Sequence, residues 1–267
     1  MGNRITLSLL AVDTIRQHLR IRLPEALPVP SHGEDMDERA VLLRRGWDEI
    51  IARGLGRPGG VLDPWLEDAF ALLARPQISV HAYFSEHREE RRSVFVAMYG
   101  QFGALATVRD GEFVLEDLYP ASAPRALVAM LPERPAGRGM SVTLPTDQLR
   151  AAAGQVSGAG SPTAVRGALR ATGMRDDEAE FVAEALTAER TGGGQIGAKH
   201  HDRIVGRTMR VPFTVDYIDT ARGRYLVQHK PGPDGRRWCT FAPGDRNRLI
   251  GQVGELIQAA ATMGSRP

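Results

Sequence analysis

The sequence predicts an α/β (α+β) fold of helices and antiparallel strands in which the chain divides into two similar halves. Three observations predict it. Several segments repeat apolar residues at spacings of three and four, the period of a helix with one buried side. Others are short β-rich runs bounded by tight turn signals. The order strand, helices, antiparallel meander, helix is then read twice along the chain, as an internal duplication too diverged to survive as identity.

In the first half, "ITLSLLAVDTIRQHL" gives a short strand and a helix. In "DERAVLLRRGWDEIIARGL", Val41, Leu42, Trp47, Ile50, Ile51 and Leu55 form the stripe of an amphipathic helix closed by Gly54 or Gly56. "DPWLEDAFALLARP" is a second one, with Asp63 as cap, Pro64 in the first turn, Leu66, Phe70, Leu72 and Leu73 on the buried side, and Pro76 as stop. The period then changes. "QISVHAYF", "SVFVAMYG", "GALATVRDG" and "EFVLEDLYP" are strands, joined in part by the hairpin dipeptide Asp110-Gly111, and "ASAPRALVAMLPE" returns to helix.

The second half follows the same order. "SVTLPTDQLRAA" is strand then helix, and "SPTAVRGALRATG" and "DDEAEFVAEALTAERTGG" are helices, the latter running from Asp176-Asp177 to Gly192. "GQIGAKHHD", "TMRVPFTVDYID", "GRYLVQHKP" and "RRWCTFAP" are strands, and "GDRNRLIGQVGELIQAAATM" is the closing helix. The Pro/Gly-rich stretch Pro132 to Ser141 is the join. The expected organisation is a single domain over 1–267, with halves 1–136 and 137–267.

Composition narrows the function. A chain of 267 residues with 42% hydrophobic content can bury a substantial core. A net charge of +2 gives no basic field for nucleic acid. No apolar run in "MGNRITLSLLAVDTIRQHLR" suits membrane insertion or a signal peptide, and the match of Gly2 and Thr6 to a myristoylation pattern is short enough to be chance. The single cysteine, Cys239, permits no intrachain disulfide and fits a reducing cytoplasm.

The most suggestive motif is "TGGGQIGAKHHD", where Gly192, Gly194 and Gly197 satisfy G-x-G-x-x-G. A dinucleotide loop needs those glycines after a strand and ahead of a helix, whose first amides hold pyrophosphate. Here they follow a helix and enter a strand, so the nucleotide reading fails. His200 and His201 are adjacent and point to opposite faces of a strand, and no other histidine has ligand spacing, so no metal site is expected. There is no G-x-S-x-G elbow, Cys239 lies inside a strand, and Glu89-Glu90 and Asp176-Asp177 read as a charged turn and a helix start. The expectation is a binding module with no catalytic residue, no cofactor and no metal. A broad sheet surface would recognise another protein.

The ordered series "RAVLLRRGWDEIIARGL", "LDPWLEDAFALLARPQISV", "GGGQIGA" and "DTARGRYLVQHKPGPDGRRWCTFAPGDRNRLIGQV" resembles the EspG-type chaperones of type VII (ESX) secretion. Its positions include Trp47, Asp219, Gly223, Arg224, Tyr225, Trp238, Pro243, Asp245, Arg248 and Leu249. The resemblance implies an EspG-like fold with a central antiparallel β-sheet, helical bundles on it and a pseudo-twofold relation between halves. It also implies a cytosolic, non-catalytic chaperone that holds a helical PE–PPE-type heterodimer by the apolar tip of its helices. A scaffold that self-associates through the same sheet is the alternative. Gly223 and Arg224 are expected in a hairpin turn, Tyr225 and Trp238 as core anchors, and Pro243 with Asp245 at the start of the last helix. Candidates for the partner-binding face are Gln195, Lys199 and His201, alternating on one strand, with Tyr217 and Gln228 on the following ones. The charged loop in "AYFSEHREERRS" is either a substrate-selecting rim or a solvated turn.

Overall fold

The computed structural model describes residues 3–86, 91–156, 160–202 and 205–264. Its centre is one antiparallel sheet. The first half supplies β1 (Arg4–Ser8), β4 (Ile78–Glu86), β5 (Arg92–Tyr99), β6 (Phe102–Arg109) and β7 (Glu112–Leu118). The second supplies β8 (Val142–Pro145), β9 (Arg190–Asp202), β11 (Val215–Thr220), β12 (Gly223–Pro231) and β13 (Arg237–Pro243). Strand order is β1-β7-β6-β5-β4-β9-β11-β12-β13-β8, so the second half mirrors the first about the β4–β9 pair. β10 (Arg207–Arg210) adds to the far end of β9, and β2 (Gly56–Arg57) with β3 (Val61–Leu62) is a small separate hairpin.

The helices are distributed to match. On one face α4 (Ala123–Ala129) and α8 (Arg246–Met263) lie over the middle, burying Leu127, Leu249, Val253 and Leu256 against Val80, Val96, Ile196 and Val215. On the other face sit two separate bundles. α1 (Leu9–His18), α2 (Met36–Ala52) and α3 (Pro64–Ala74) cover the first half through Ile15, Leu66 and Phe70, the last stacked on Phe113 with ring centroids 5.8 Å apart. α5 (Thr146–Gly154), α6 (Pro162–Ala171) and α7 (Asp176–Thr187) cover the second half through Leu169, Phe181 and Val182, against Tyr225, Cys239 and Phe241. Asp63 caps α3 by accepting from the Trp65 and Leu66 backbone N–H groups, and Asp245 caps α8 by accepting from that of Arg248.

Four expectations need correction. α7 stops at Thr187 rather than at Gly192, because Arg190 and Gly192 are already paired with the neighbouring strand β11, and that ladder takes the backbone away from the helix. "TMRVPFTVDYID" is two strands, broken around Pro212, which has no N–H to give a ladder. α2 packs on α1 through Gly46 and Ile50, so Val41 of the expected stripe is exposed. Trp238 is half-buried and clamps the β12–β13 turn, donating its indole N–H to Asp234 (3.2 Å), instead of anchoring the core.

Arg224 does more than shape a turn. It is buried and makes a two-pronged ion pair with Asp219 across the β11–β12 hairpin (2.6 and 2.8 Å), while its Nη2 donates to the Pro132 carbonyl (2.9 Å). Its own N–H donates to Pro135 O, and Gly137 N–H donates to Arg224 O, both at 2.8 Å. Gly223, at φ +115°, lies so close to Ala136 that a Cβ there would fall 2.8 Å from backbone. The D…GRY motif therefore ties the segment between the halves to the second half. Asp219→Ala leaves a buried guanidinium unpaired and is expected to cost about 3–5 kcal/mol. Urea unfolding of the variant checks this, and a loss under about 1 kcal/mol contradicts it.

Candidate functional site

Between the two bundles, the middle of their shared face is left uncovered. Side chains alternate across a strand, so β9 shows Gly193, Gln195, Gly197, Lys199 and His201 to this open strip, and β4 shows Ser79, His81, Tyr83 and Ser85. Opposed pairs are Ser79 with Lys199, His81 with Gly197, Tyr83 with Gln195, and Ser85 with Gly193. Gln195 is exposed, and Lys199 and His201 are half-buried. His201 lies 2.8 Å from Ser79 Oγ through Nε2 and 3.1 Å from Thr208 Oγ1 through Nδ1.

The Tyr217 and Gln228 side chains point elsewhere, although Tyr217 is among the residues that line the groove at the end of the strip. Both point to the α4–α8 face and are buried, Tyr217 under the Arg224 guanidinium 4.3 Å from its ring centroid. The structure thus brings Gln195, Lys199 and His201 together and sets these two behind the sheet. Parity across the paired strands explains it: Tyr217 stands opposite Gly194, and Gln228 opposite Val215, both of which face α8. The charged loop residues His87 to Glu90 lie outside the described residues.

At one end the strip deepens into a groove of about 820 Å³. Its apolar wall is Leu149 of α5, Leu186 of α7, and Ile218, Val227 and Phe241 of the strands beneath them. Tyr83, Ser85, Gly193 and Gln195 form the middle, and Arg91 and Arg190 stand at the groove as well. The Arg91 guanidinium lies over the Tyr83 ring, 4.1 Å from its centroid. Tyr83 and Arg91 belong to the stretch "AYFSEHREERRS", which the sequence offered as either a substrate-selecting rim or a solvated turn. The helical leucines were not legible as site residues, their only signal being membership of a helix.

The glycine run does not build a phosphate loop. Gly192, Gly194 and Gly197 sit inside β9, paired with β4 on one edge and, at Gly192 and Gly194, with β11 on the other, so that run presents no free row of amides. Among the described residues no group of three metal-ligating side chains converges. His200 turns away from His201 to the α8 face. Burial pushes the Cys239 thiol up to about 12, which leaves it a protonated apolar filler. No helix among the described residues is long and apolar enough to cross a membrane.

With the geometry in place, the comparisons bear on identity. The family model described as EspG family matches residues 8–255. The chain belongs to the EspG family. No sequence among the curated proteins matches it. Among solved structures, the fold is similar to that of the Mycobacterium tuberculosis type VII secretion system chaperone EspG5, solved in complex with a PE25–PPE41 dimer. The TM-score is 0.75 at 15% identity, covering 97% of this chain and 96% of that one. In this EspG-family protein, as the paired strands show, the two bundles stand on either side of an uncovered β4–β9 strip.

That strip makes a pH prediction. Burial, with Lys199 and Arg210 nearby, lowers the His81 pKa from its usual 6.5 to about 4. The unfolded chain therefore binds a proton there that the folded chain refuses, so this residue's contribution to stability is present above pH 6.5 and is lost as pH falls towards 4. His81→Gln should flatten part of the acid limb in denaturant titrations at pH 7, 5.5 and 4.5. An unchanged acid limb would show that other groups govern it.

Proposed function

We propose that this protein is a cytosolic, type VII secretion-specific chaperone. It binds a helical substrate of the PE–PPE heterodimer kind, covers the apolar tip of the substrate helices, and keeps it soluble until export. In this reading residues 1–267 are one EspG-like domain whose halves, 1–136 and 137–267, descend from a duplication. Family membership and the fold shared with a chaperone solved on a PE25–PPE41 dimer support the partner class. The observation that carries the reading is the groove at the uncovered strip.

The physical task suits that groove. An exposed apolar helix tip is an association hazard, and removing it from water gains about 25 cal/mol per Å² of apolar surface. Leu149, Leu186 and Phe241 offer an apolar wall, while Gln195, Ser85 and the charged side chains hydrogen-bond the polar groups at a helix end. Gly193 adds no side chain to the groove, so a helical turn can approach the sheet closely. Holding needs complementarity only, and no reacting group is called for.

Co-expression with the PE–PPE-type heterodimers encoded in the source genome, followed by size-exclusion chromatography with light scattering, should give a stable 1:1:1 complex. The complex should be lost when the substrate tip is made polar. Gln195→Trp, which fills the middle of the strip from an exposed position, should weaken it about tenfold or more, which is about 1.4 kcal/mol. If the chain runs alone beside every heterodimer, the reading falls. A homodimer blocked by the same Trp would favour a self-associating scaffold.

A further inference from the structure

The groove is chemically lopsided. Against its apolar wall stand two guanidiniums, and their placement is built rather than incidental. At Thr220 the β9–β11 register slips, so that Arg190 opposes Thr220 while Asp219 opposes Gly192. An extra residue in one strand turns the following side chain to the other face. Without that bulge the position opposite Thr220 would be Thr191. With it, Arg190 is aimed into the groove and remains exposed. Arg91 stands at the same groove with its guanidinium over the Tyr83 ring, a contact that limits the rotamer entropy a long side chain would otherwise lose on binding.

Neither arginine has a carboxylate partner among the described residues. Some guanidiniums elsewhere are matched, Arg39 to Asp13, Arg134 to Glu86, Arg224 to Asp219 and Arg236 to Asp147, so what sets Arg91 and Arg190 apart is that both stand at one groove. The acid that lines this groove, Asp216, accepts from Thr214 (3.0 Å) rather than from either arginine. Two exposed positive charges thus stand beside an apolar wall, with no ion pair to either among the described residues.

We infer that Arg91 and Arg190 form a carboxylate clamp that selects the partner: the helical tip entering the groove carries an Asp or Glu next to its apolar side chains. This rests on the chaperone reading above. The guanidinium fork matches a carboxylate in two-pronged geometry, so the acid fixes the orientation of the tip as well as its affinity. An apolar tip without an acid would have to bury two unpaired cations, and the groove rejects it for that reason.

The test is isothermal titration of each purified PE–PPE-type heterodimer from the source genome into the full chain at low and high salt. Arg190→Glu and Arg91→Glu should each weaken binding tenfold or more and flatten its salt dependence, whereas Arg190→Lys should keep most of it. Replacing the tip acid of the partner by Arg should restore binding to Arg190→Glu. Both side chains are exposed, so melting curves should stay near the wild-type curve, and Arg190→Gln serves if a reversal disturbs them. Wild-type binding that none of these changes alters overturns the clamp and leaves the chaperone reading standing. A wild-type chain that binds no heterodimer overturns both.

Discussion

The ladder between β4 and β9 is the joint on which the molecule depends. Nine residue pairs, from Ile78 with His200 to Glu86 with Gly192, join two five-stranded halves into one sheet. Each half alone would end in an unpaired edge at β4 or β9, an invitation to pair with another chain. Pairing the two edges with each other removes that hazard and fixes where everything else can go. On one face α4 and α8 cross the joint and bury it. On the other face the two bundles belong to the two halves, and they leave the joint between them open. The candidate site is thus a consequence of joining two similar halves edge to edge.

The two central strands are similar in position and unlike in side chains. On the open face β4 contributes His81 and Tyr83, and β9 answers with Gly197 and Gln195. Side chains directly opposite on an antiparallel pair stand only about 5 Å apart, so two rows of rings would collide. A Cβ at Gly197 would fall 2.8 Å from His81 Nε2, which shows how fully the histidine occupies the space the glycine leaves. The glycines of β9, suggestive of phosphate when read as a string, are packing devices. Gly197 gives room to a ring on the open face, and Gly194 gives room to the Tyr217 ring on the covered one.

How much of this the sequence could tell follows from range. Several local signals were faithful. Asp63 and Asp245 cap their helices, Asp110-Gly111 turns a hairpin with φ of 53° and 78°, and the two halves follow the same order. Alternation correctly placed Gln195, Lys199 and His201 on one face, since parity within a strand needs only counting. It misplaced Tyr217 and Gln228, because parity between strands depends on register, and register is set by pairings that no single segment contains. Trp238 read as a core anchor because it is large and apolar, yet it stands at the start of its strand, beside the turn that its ring closes. The groove was the least legible feature. Leu149 and Leu186 come from helices whose tilt over the sheet is a tertiary outcome, and the bulge that aims Arg190 appears only once β9 and β11 are paired.

Arginine shows the same logic at two extremes. Arg224 is buried, and its charge is tolerable only because Asp219 and the Pro132 carbonyl satisfy it, so it locks the connection between halves in one place. Arg91 and Arg190 are exposed, where water screens an unpaired charge at little cost. That cost changes when another molecule covers the groove. A covering surface with acceptors at the right place replaces the lost water, and one without them leaves two cations desolvated, a penalty of several kcal/mol per charge. Discrimination then comes from what the wrong partner fails to supply rather than from extra attraction to the right one. A folded chain can carry such a requirement without sacrificing its own stability, because the penalty arises only in the wrong complex.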